Sequence, residues 1–130
     1  MIFIDSSVWV DYFRGNDSPQ IDKLDTLFGS GQIVVGDLVL TEVLQGFPGK
    51  KEFEEALELF NTVSLVNLGG YSLAVEAARN FRKLRAKGFT VRKTIDSLIA
   101  TRCIISNFEL LHNDRDFNPF EQHLGLKCVI

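Results

Sequence analysis

The sequence has few cysteines, histidines and prolines, no long apolar run and no excess of positive charge. The two cysteines, Cys103 and Cys128, stand among apolar residues, which argues against a disulfide framework and favours a reducing compartment. Zinc is bound mainly by cysteine and histidine, and the chain has only two of each, so a zinc site is not expected. No stretch approaches the ~20 apolar residues of a membrane span, and the first residues do not resemble a signal peptide. We therefore expect a cytoplasmic protein with no membrane association.

The charge balance excludes one way of binding nucleic acid. Fourteen basic and seventeen acidic residues give a formal charge of −3, so the protein does not bind nucleic acid by positive charge over its whole surface. Apolar residues make up 45% of the 130 residues and charged residues 24%, which is a globular composition. We expect one domain over residues 1–130, long enough to fold without a metal or a disulfide.

Short apolar runs alternate with segments of helical periodicity along the chain. The pattern predicts five strands, at Ile2–Ile4, 33–35, 63–68, 108–112 and 126–130. It predicts helices at Ser6–Phe13, from Pro19 onward, at 38–45, 53–60, 71–87 and Thr94–Ser106. Strands separated by helices pair in parallel, so we expect a three-layer α/β/α sandwich around a central, mainly parallel five-stranded sheet. Sites in such folds form beyond the carboxyl ends of the strands.

Four acidic residues fall where one site can form. Asp5 ends the first strand, Glu42 lies on the helix after the second, Asp96 lies in the first turn of a helix, and Asp114 follows the fourth strand. Grouped carboxylates repel each other, and a divalent cation removes that cost. Oxygen ligands favour Mg²⁺ or Mn²⁺, which can activate water against a phosphodiester. Each acid also has a structural interpretation, as a helix cap, a turn residue or a solvated side chain.

Four segments resemble, in order, the acidic motifs of one protein family. The opening IFIDSSVWVDYF, then TEVLQG at 41–46, TIDSLIA at 94–100 and LLHNDRDF at 110–117 resemble those of PIN-domain proteins. The likeness is nearest to the VapC-type toxins of prokaryotic type II toxin–antitoxin pairs. Together with the alternation of strands and helices, it covers nearly the whole chain.

The resemblance implies a Mg²⁺- or Mn²⁺-dependent endoribonuclease that acts as a toxin. Carried over by position, Asp5, Glu42, Asp96 and Asp114 would be the catalytic acids, and Asp5, Asp96 and Asp114 the metal ligands. Asp116 would be an accessory acid. Ser7 stands where the family often has a small polar residue, suited to hydrogen-bond a carboxylate or a metal-bound water. The family further implies an RNA substrate, a cognate antitoxin protein and a homodimer.

A basic stretch precedes the third acidic motif. Between Glu76 and Asp96 there are seven basic residues and no acid. The predicted RNA-binding residues lie in this stretch: Arg79, Arg82, Lys83 and Lys87 on one helix face, with Arg92 and Lys93 just before Asp96. Such a surface suits the phosphate backbone of RNA. The alternative is an ordinary solvated helix face, although such faces usually mix both signs of charge.

Two other functions remain open at this point. A receiver-type phospho-acceptor regulator has similar length and an acidic Mg²⁺ pocket. It needs an Asp at the end of the third strand, where this chain has Val66-Asn67-Leu68. A non-catalytic PIN-like domain that binds RNA or protein is the other alternative. The complete set of four acids argues against it.

Overall fold

The computed structural model describes all 130 residues and has five strands and seven α-helices. The strands are β1 (Ile2–Ile4), β2 (Ile33–Gly36), β3 (Ser64–Val66), β4 (Glu109–Leu111) and β5 (Lys127–Cys128). The helices are α1 (Ser6–Phe13), α2 (Pro19–Leu27), α3 (Asp37–Leu44), α4 (Lys50–Phe60), α5 (Tyr71–Ala86), α6 (Thr94–Ser106) and α7 (Asn118–Leu124). A 3₁₀ turn, Arg115–Phe117, precedes α7. The predicted α/β class with a central five-stranded sheet is confirmed.

The sheet has the order β3-β2-β1-β4-β5, and every pair is parallel. The chain runs outward from β1 to β3 and then returns to the other side of β1. Right-handed crossovers therefore place α1 to α4 on one face of the sheet and α5 to α7 on the other. The strand order reverses direction between β1 and β4. In open parallel sheets, ligands bind at such a point, just beyond the carboxyl ends of the strands.

β1 is the central strand of the sheet, and this position explains why it is apolar throughout. Ile2, Phe3 and Ile4 are all buried, because helices cover both faces of a parallel sheet. On one face, Trp9 of α1 is fully buried, and its ring centroid lies 4.8 Å from that of Phe60. The burial of β1 on both sides fixes the position of the residue that follows it, Asp5.

The structure differs from the sequence prediction at the C-terminal end and at the sheet edges. The 3₁₀ turn and α7 were not predicted, since α7 has only seven residues and its proline obscures the pattern. Phe117, just before α7, and Phe120, within α7, are fully buried. The edge strands β3 and β5 are shorter than predicted, because each has a partner on one side alone.

The longest helix, α5, has 16 residues, and none of the helices combines the length with the apolar content that a membrane span needs.

Gly36, the last residue of β2, provides a test of this packing. A Cβ there would lie 2.5 Å from Leu68 Cδ1 and 2.9 Å from Phe3 Cζ, and both side chains are fully buried. We expect Gly36→Ala to lower the free energy of unfolding by about 1–3 kcal/mol, measured by urea denaturation. Gly69→Ala is the control, because a Cβ at Gly69 meets open space. Equal stability of the two variants would contradict the packing described.

Candidate active site

Four different elements bring the four predicted catalytic acids to one cavity. Asp5 follows β1 and caps α1, whereas Asp114 follows β4 and caps the 3₁₀ turn. Since β1 and β4 are parallel neighbours, both acids lie where the carboxyl ends of these strands meet, at the carboxyl-terminal edge of the sheet. Glu42 reaches the cavity from α3 and Asp96 from the first turn of α6. All four line a cavity of about 390 Å³.

Ser7 fixes the position of Asp5 and ties it to the loop that carries Asp114. The Asp5 side chain is buried, and its Oδ2 accepts hydrogen bonds from Ser7 N at 3.1 Å and Ser7 Oγ at 2.6 Å. Ser7 Oγ in turn accepts from Asn113 N at 3.1 Å. Burial raises the pKa of Asp5, and the hydrogen bonds from Ser7 oppose that rise. Ser7 therefore bonds a carboxylate of the cavity, and its part in a metal site stays a prediction.

Asp96 and Glu42 each have a buried oxygen with no hydrogen-bond partner in the protein. The two atoms are Asp96 Oδ2 and Glu42 Oε1, and the Asp96 residue is only 4% exposed. Burial, followed by the negative charge of Asp5, raises the pKa of Asp96 to about 7. The same two causes raise the pKa of Glu42, and Lys93 opposes both shifts. Leaving a buried carboxylate oxygen unpaired is costly, so these acids need a compensating positive charge.

The donor set fits a hard divalent cation. Asp5, Glu42, Asp96 and Asp114 offer only carboxylate oxygens, which are the ligands that Mg²⁺ and Mn²⁺ prefer. Neither histidine lines the cavity. The unpaired oxygens of Asp96 and Glu42 are therefore available to bind a cation or a water molecule.

Asp116 lies beside the site and is held by an arginine. Asp116 belongs to the one group of acids that is spaced to share an ion, since one oxygen each of Asp96, Asp114 and Asp116 lie within 4.8 Å of one another. It does not line the cavity, however. One terminal nitrogen of Arg92 donates to both Asp116 oxygens, at 2.8 and 3.1 Å, and this bond lowers the pKa of Asp116. Asp116 N also donates to Asp114 Oδ1 at 2.9 Å.

The six predicted RNA-binding residues separate into two groups. Arg92 and Lys93 reach the acids, with Lys93 Nζ 3.8 Å from Asp114 Oδ2. The other four, called the α5 bases below, are exposed and do not line the acidic cavity: Arg79, Arg82 and Lys83 on α5, and Lys87 directly after it. Of these, Arg79 pairs with Glu76 at 3.2 Å, and Arg82 borders an apolar cavity between α5 and α6. Their RNA-binding role stays a prediction.

Sequence reasoning missed three polar residues of the cavity, Ser6, Asp11 and Asn113. Asp11 and Asn113 both line it, and Asn113 Nδ2 donates to Asp11 Oδ2 at 3.4 Å. Asp11 lies four residues after Ser7 on α1, so helical spacing was a usable signal for it. Asn113 carried no such signal, because its part in the site comes from its backbone bond to Ser7.

Comparison with known proteins connects this geometry to a family. A family model described as "PIN domain" matches residues 2–121. The protein named "Ribonuclease VapC11" of Mycobacterium tuberculosis is 30% identical over 131 residues, which covers 99% of this chain and 98% of the relative.

Solved structures have the same fold. The structure of VapBC2 from Rickettsia felis, bound to a DNA fragment from the promoter, has a TM-score of 0.74 at 19% identity. The match covers 99% of this chain and 98% of that chain. The M. tuberculosis toxin VapC20, described as cleaving the sarcin-ricin loop, has a TM-score of 0.65 at 17% identity. That match covers 91% of this chain and 93% of the other.

The raised pKa of Asp96 predicts that the acid destabilises the metal-free protein at high pH. Below the ordinary value of 3.8 the acid is protonated whether the chain is folded or unfolded. As pH rises to about 7, the unfolded chain loses a proton that the folded chain keeps, so the folded state becomes relatively less stable. Asp96→Asn resembles the protonated acid at every pH. We expect it to keep the fold and to exceed wild type in stability at pH 8, by up to about 4 kcal/mol.

Urea denaturation in EDTA at pH 4, 6 and 8 measures this difference, which should become small at pH 4. Asp116→Asn is the control with the opposite sign, because Arg92 lowers the pKa of Asp116. The Arg92–Asp116 pair stabilises the folded state at pH values above the ordinary pKa of Asp116. We therefore expect Asp116→Asn to be no more stable than wild type at pH 8. An Asp96→Asn variant less stable than wild type at pH 8 would instead give Asp96 a structural role.

Proposed function

Since this chain belongs to the PIN-domain family, we propose that it is a metal-dependent endoribonuclease acting as the toxin of a toxin–antitoxin pair. One observation carries the proposal: acids from four elements line one cavity, and two of their buried oxygens have no partner in the protein. The relative that covers nearly its whole length is named a ribonuclease, which supports the same activity.

The acids divide the work according to their positions. Asp5, Asp96 and Asp114 would hold Mg²⁺ or Mn²⁺, and Ser7 keeps Asp5 in place through its two hydrogen bonds. When bound, the cation would lower the pKa of a water molecule and polarise the phosphate. Glu42 lines the same cavity with an unpaired oxygen, so we assign it to accept a hydrogen bond from the attacking water. Asp116 acts as an accessory acid that holds Arg92.

We assign the exposed bases of α5 to the sugar–phosphate backbone of RNA. Arg79, Arg82, Lys83 and Lys87 lie at the surface without lining the acidic cavity, so they would bind the substrate away from the cleaved bond. The cleaved segment would be a loop, since an A-form duplex hides its base edges in a groove too narrow to enter. An RNA substrate also places the protein in the cytoplasm.

The partners are proposed from the solved relatives. The Rickettsia felis structure is described as VapBC2 bound to DNA, and a Klebsiella pneumoniae neighbour is described as a toxin–antitoxin complex. We propose that an antitoxin covers the acidic cavity of this chain and brings a basic side chain to it. A homodimer is the proposed state of the toxin itself.

A receiver-type regulator has less support. The strand that would carry its phospho-acceptor, β3, lies at the sheet edge and is followed by Asn67. The clustered acids come instead from the ends of β1 and β4 and from α3 and α6.

The activity is tested with total cellular RNA and purified protein free of any antitoxin. We expect discrete fragments with Mg²⁺ or Mn²⁺ and none with EDTA, because the acids need the ion. Asp96→Asn should lose cleavage by a hundredfold or more, on the order expected for loss of a group that acts in the transition state. Asp25→Asn, an exposed acid on α2, is the control and should cleave like wild type. A folded wild-type protein that cleaves nothing would favour a non-catalytic binding domain.

The α5 surface is tested by removing two of its charges. Lys83→Gln with Lys87→Gln should weaken RNA binding and reduce the salt slope of log K by about 1.4, since each phosphate contact to a single strand contributes about 0.7. Binding is measured in the Asp96→Asn background, where the RNA stays intact. Lys50→Gln with Lys51→Gln on α4 makes the same charge change elsewhere. If both pairs behave alike, the α5 bases are an ordinary solvated face.

A further inference from the structure

One basic side chain stands inside the acidic cavity. Lys93 lines it together with five acids, Asp5, Asp11, Glu42, Asp96 and Asp114, and no other basic residue does. Lys93 immediately precedes α6, and its carbonyl accepts a hydrogen bond from Asp96 N at 3.1 Å. The same turn therefore presents the buried carboxylate of Asp96 and the single ammonium of the cavity.

The ammonium of Lys93 is free to bind something else. Its Nζ lies 3.8 Å from Asp114 Oδ2, which is beyond hydrogen-bond distance, and its side chain is 61% exposed. Neighbouring Arg92 is in the opposite state, because one of its nitrogens donates to both oxygens of Asp116. Arg92 thus anchors the segment to the 3₁₀ turn, whereas the three donors of Lys93 remain available.

We infer that Lys93 is a catalytic residue, whose ammonium donates a hydrogen bond to a non-bridging oxygen of the phosphate that is cleaved. The inference rests on the proposed function and deepens it. A phosphodiester brings negative charge into a cavity lined by five acids, and a divalent cation offsets only two of those charges. Lys93 is the one positively charged protein group in the cavity.

The step requires no oxidant, reductant or further reactant. The water oxygen forms a bond to phosphorus, and the bond from phosphorus to one ribose oxygen breaks. One proton of the water passes through solvent to that leaving oxygen, and the other stays on the phosphate or is lost to solvent. A fixed cation beside the phosphate oxygens stabilises the charge that develops as these bonds form and break, so it lowers the barrier. Lys93 transfers no proton in this scheme.

A different role for Lys93 makes a contrasting prediction. If it were only a counter-ion for the acids of the metal-free protein, it would compete with the metal. Its removal would then strengthen metal binding and leave cleavage unchanged or faster. In the catalytic role its removal also leaves metal binding unchanged or stronger, but cleavage slows.

The test uses Lys93→Met, which keeps the length of the side chain and removes its charge. Mn²⁺ affinity is measured by electron paramagnetic resonance, and kcat and KM on an RNA oligonucleotide spanning a cleavage site mapped with wild type. We expect Mn²⁺ affinity at least equal to that of wild type and kcat lower by about a hundredfold, with Lys93→Arg recovering most of it. Lys50→Met, an exposed lysine of α4, is the control for net charge and should match wild type.

The outcomes separate the two proposals. Wild-type cleavage together with a Lys93→Met kcat within threefold of wild type would overturn the catalytic role and leave the nuclease standing. Weaker Mn²⁺ binding by Lys93→Met would overturn it as well, because the effect on cleavage would then come from the metal site. A loss seen in KM alone would reduce Lys93 to a binding residue. Absence of wild-type cleavage would overturn the proposed function, and this inference with it.

Discussion

The burial of like-charged carboxylates at one edge of the sheet is the constraint on which the rest of the site depends. β1 and β4 pair in register, with Ile4 opposite Leu111, and Asp5 N donates to Leu111 O. This bond places the acid after β1 beside the loop after β4. A strand buried on both faces cannot move its end toward solvent, so Asp5 stays buried with its charge. The proximity of the acids destabilises the fold, and the burial of the apolar core offsets that cost.

The protein compensates these acids in part. Ser7 satisfies one oxygen of Asp5, and Arg92 satisfies both oxygens of Asp116. No protein group satisfies Asp96 Oδ2 or Glu42 Oε1. Adding a hydroxyl or an amide there would stabilise the metal-free fold, but it would also occupy the positions that the proposed ion at Asp96 and the proposed attacking water at Glu42 need. The incomplete hydrogen bonding is thus what keeps the site available, which is the usual conflict between stability and function.

The sequence could predict the parts of this arrangement that depend on local pattern. The alternation of apolar runs such as β1 with helical segments such as α5 predicted the α/β class, and four motifs pointed to the acids. The short helix α7 was missed because its burial through Phe120 is a tertiary property. Asn113 was missed for a similar reason, since its bond to Ser7 spans 106 positions of the chain. Local periodicity carries no information about contacts of that kind.

The basic stretch shows the same limit in a more instructive way. In sequence, Arg92 and Lys93 are adjacent members of one run of positive charge. In the structure, Arg92 holds an acid 24 positions away and Lys93 extends into the cavity without a hydrogen bond. The four α5 bases pair with neither Asp114 nor Asp116. A guanidinium with several donors in a fixed plane suits the anchoring position, and a mobile ammonium suits the proposed contact with a phosphate. The chemistry of each side chain therefore fits its position, and a count of charges cannot assign either role.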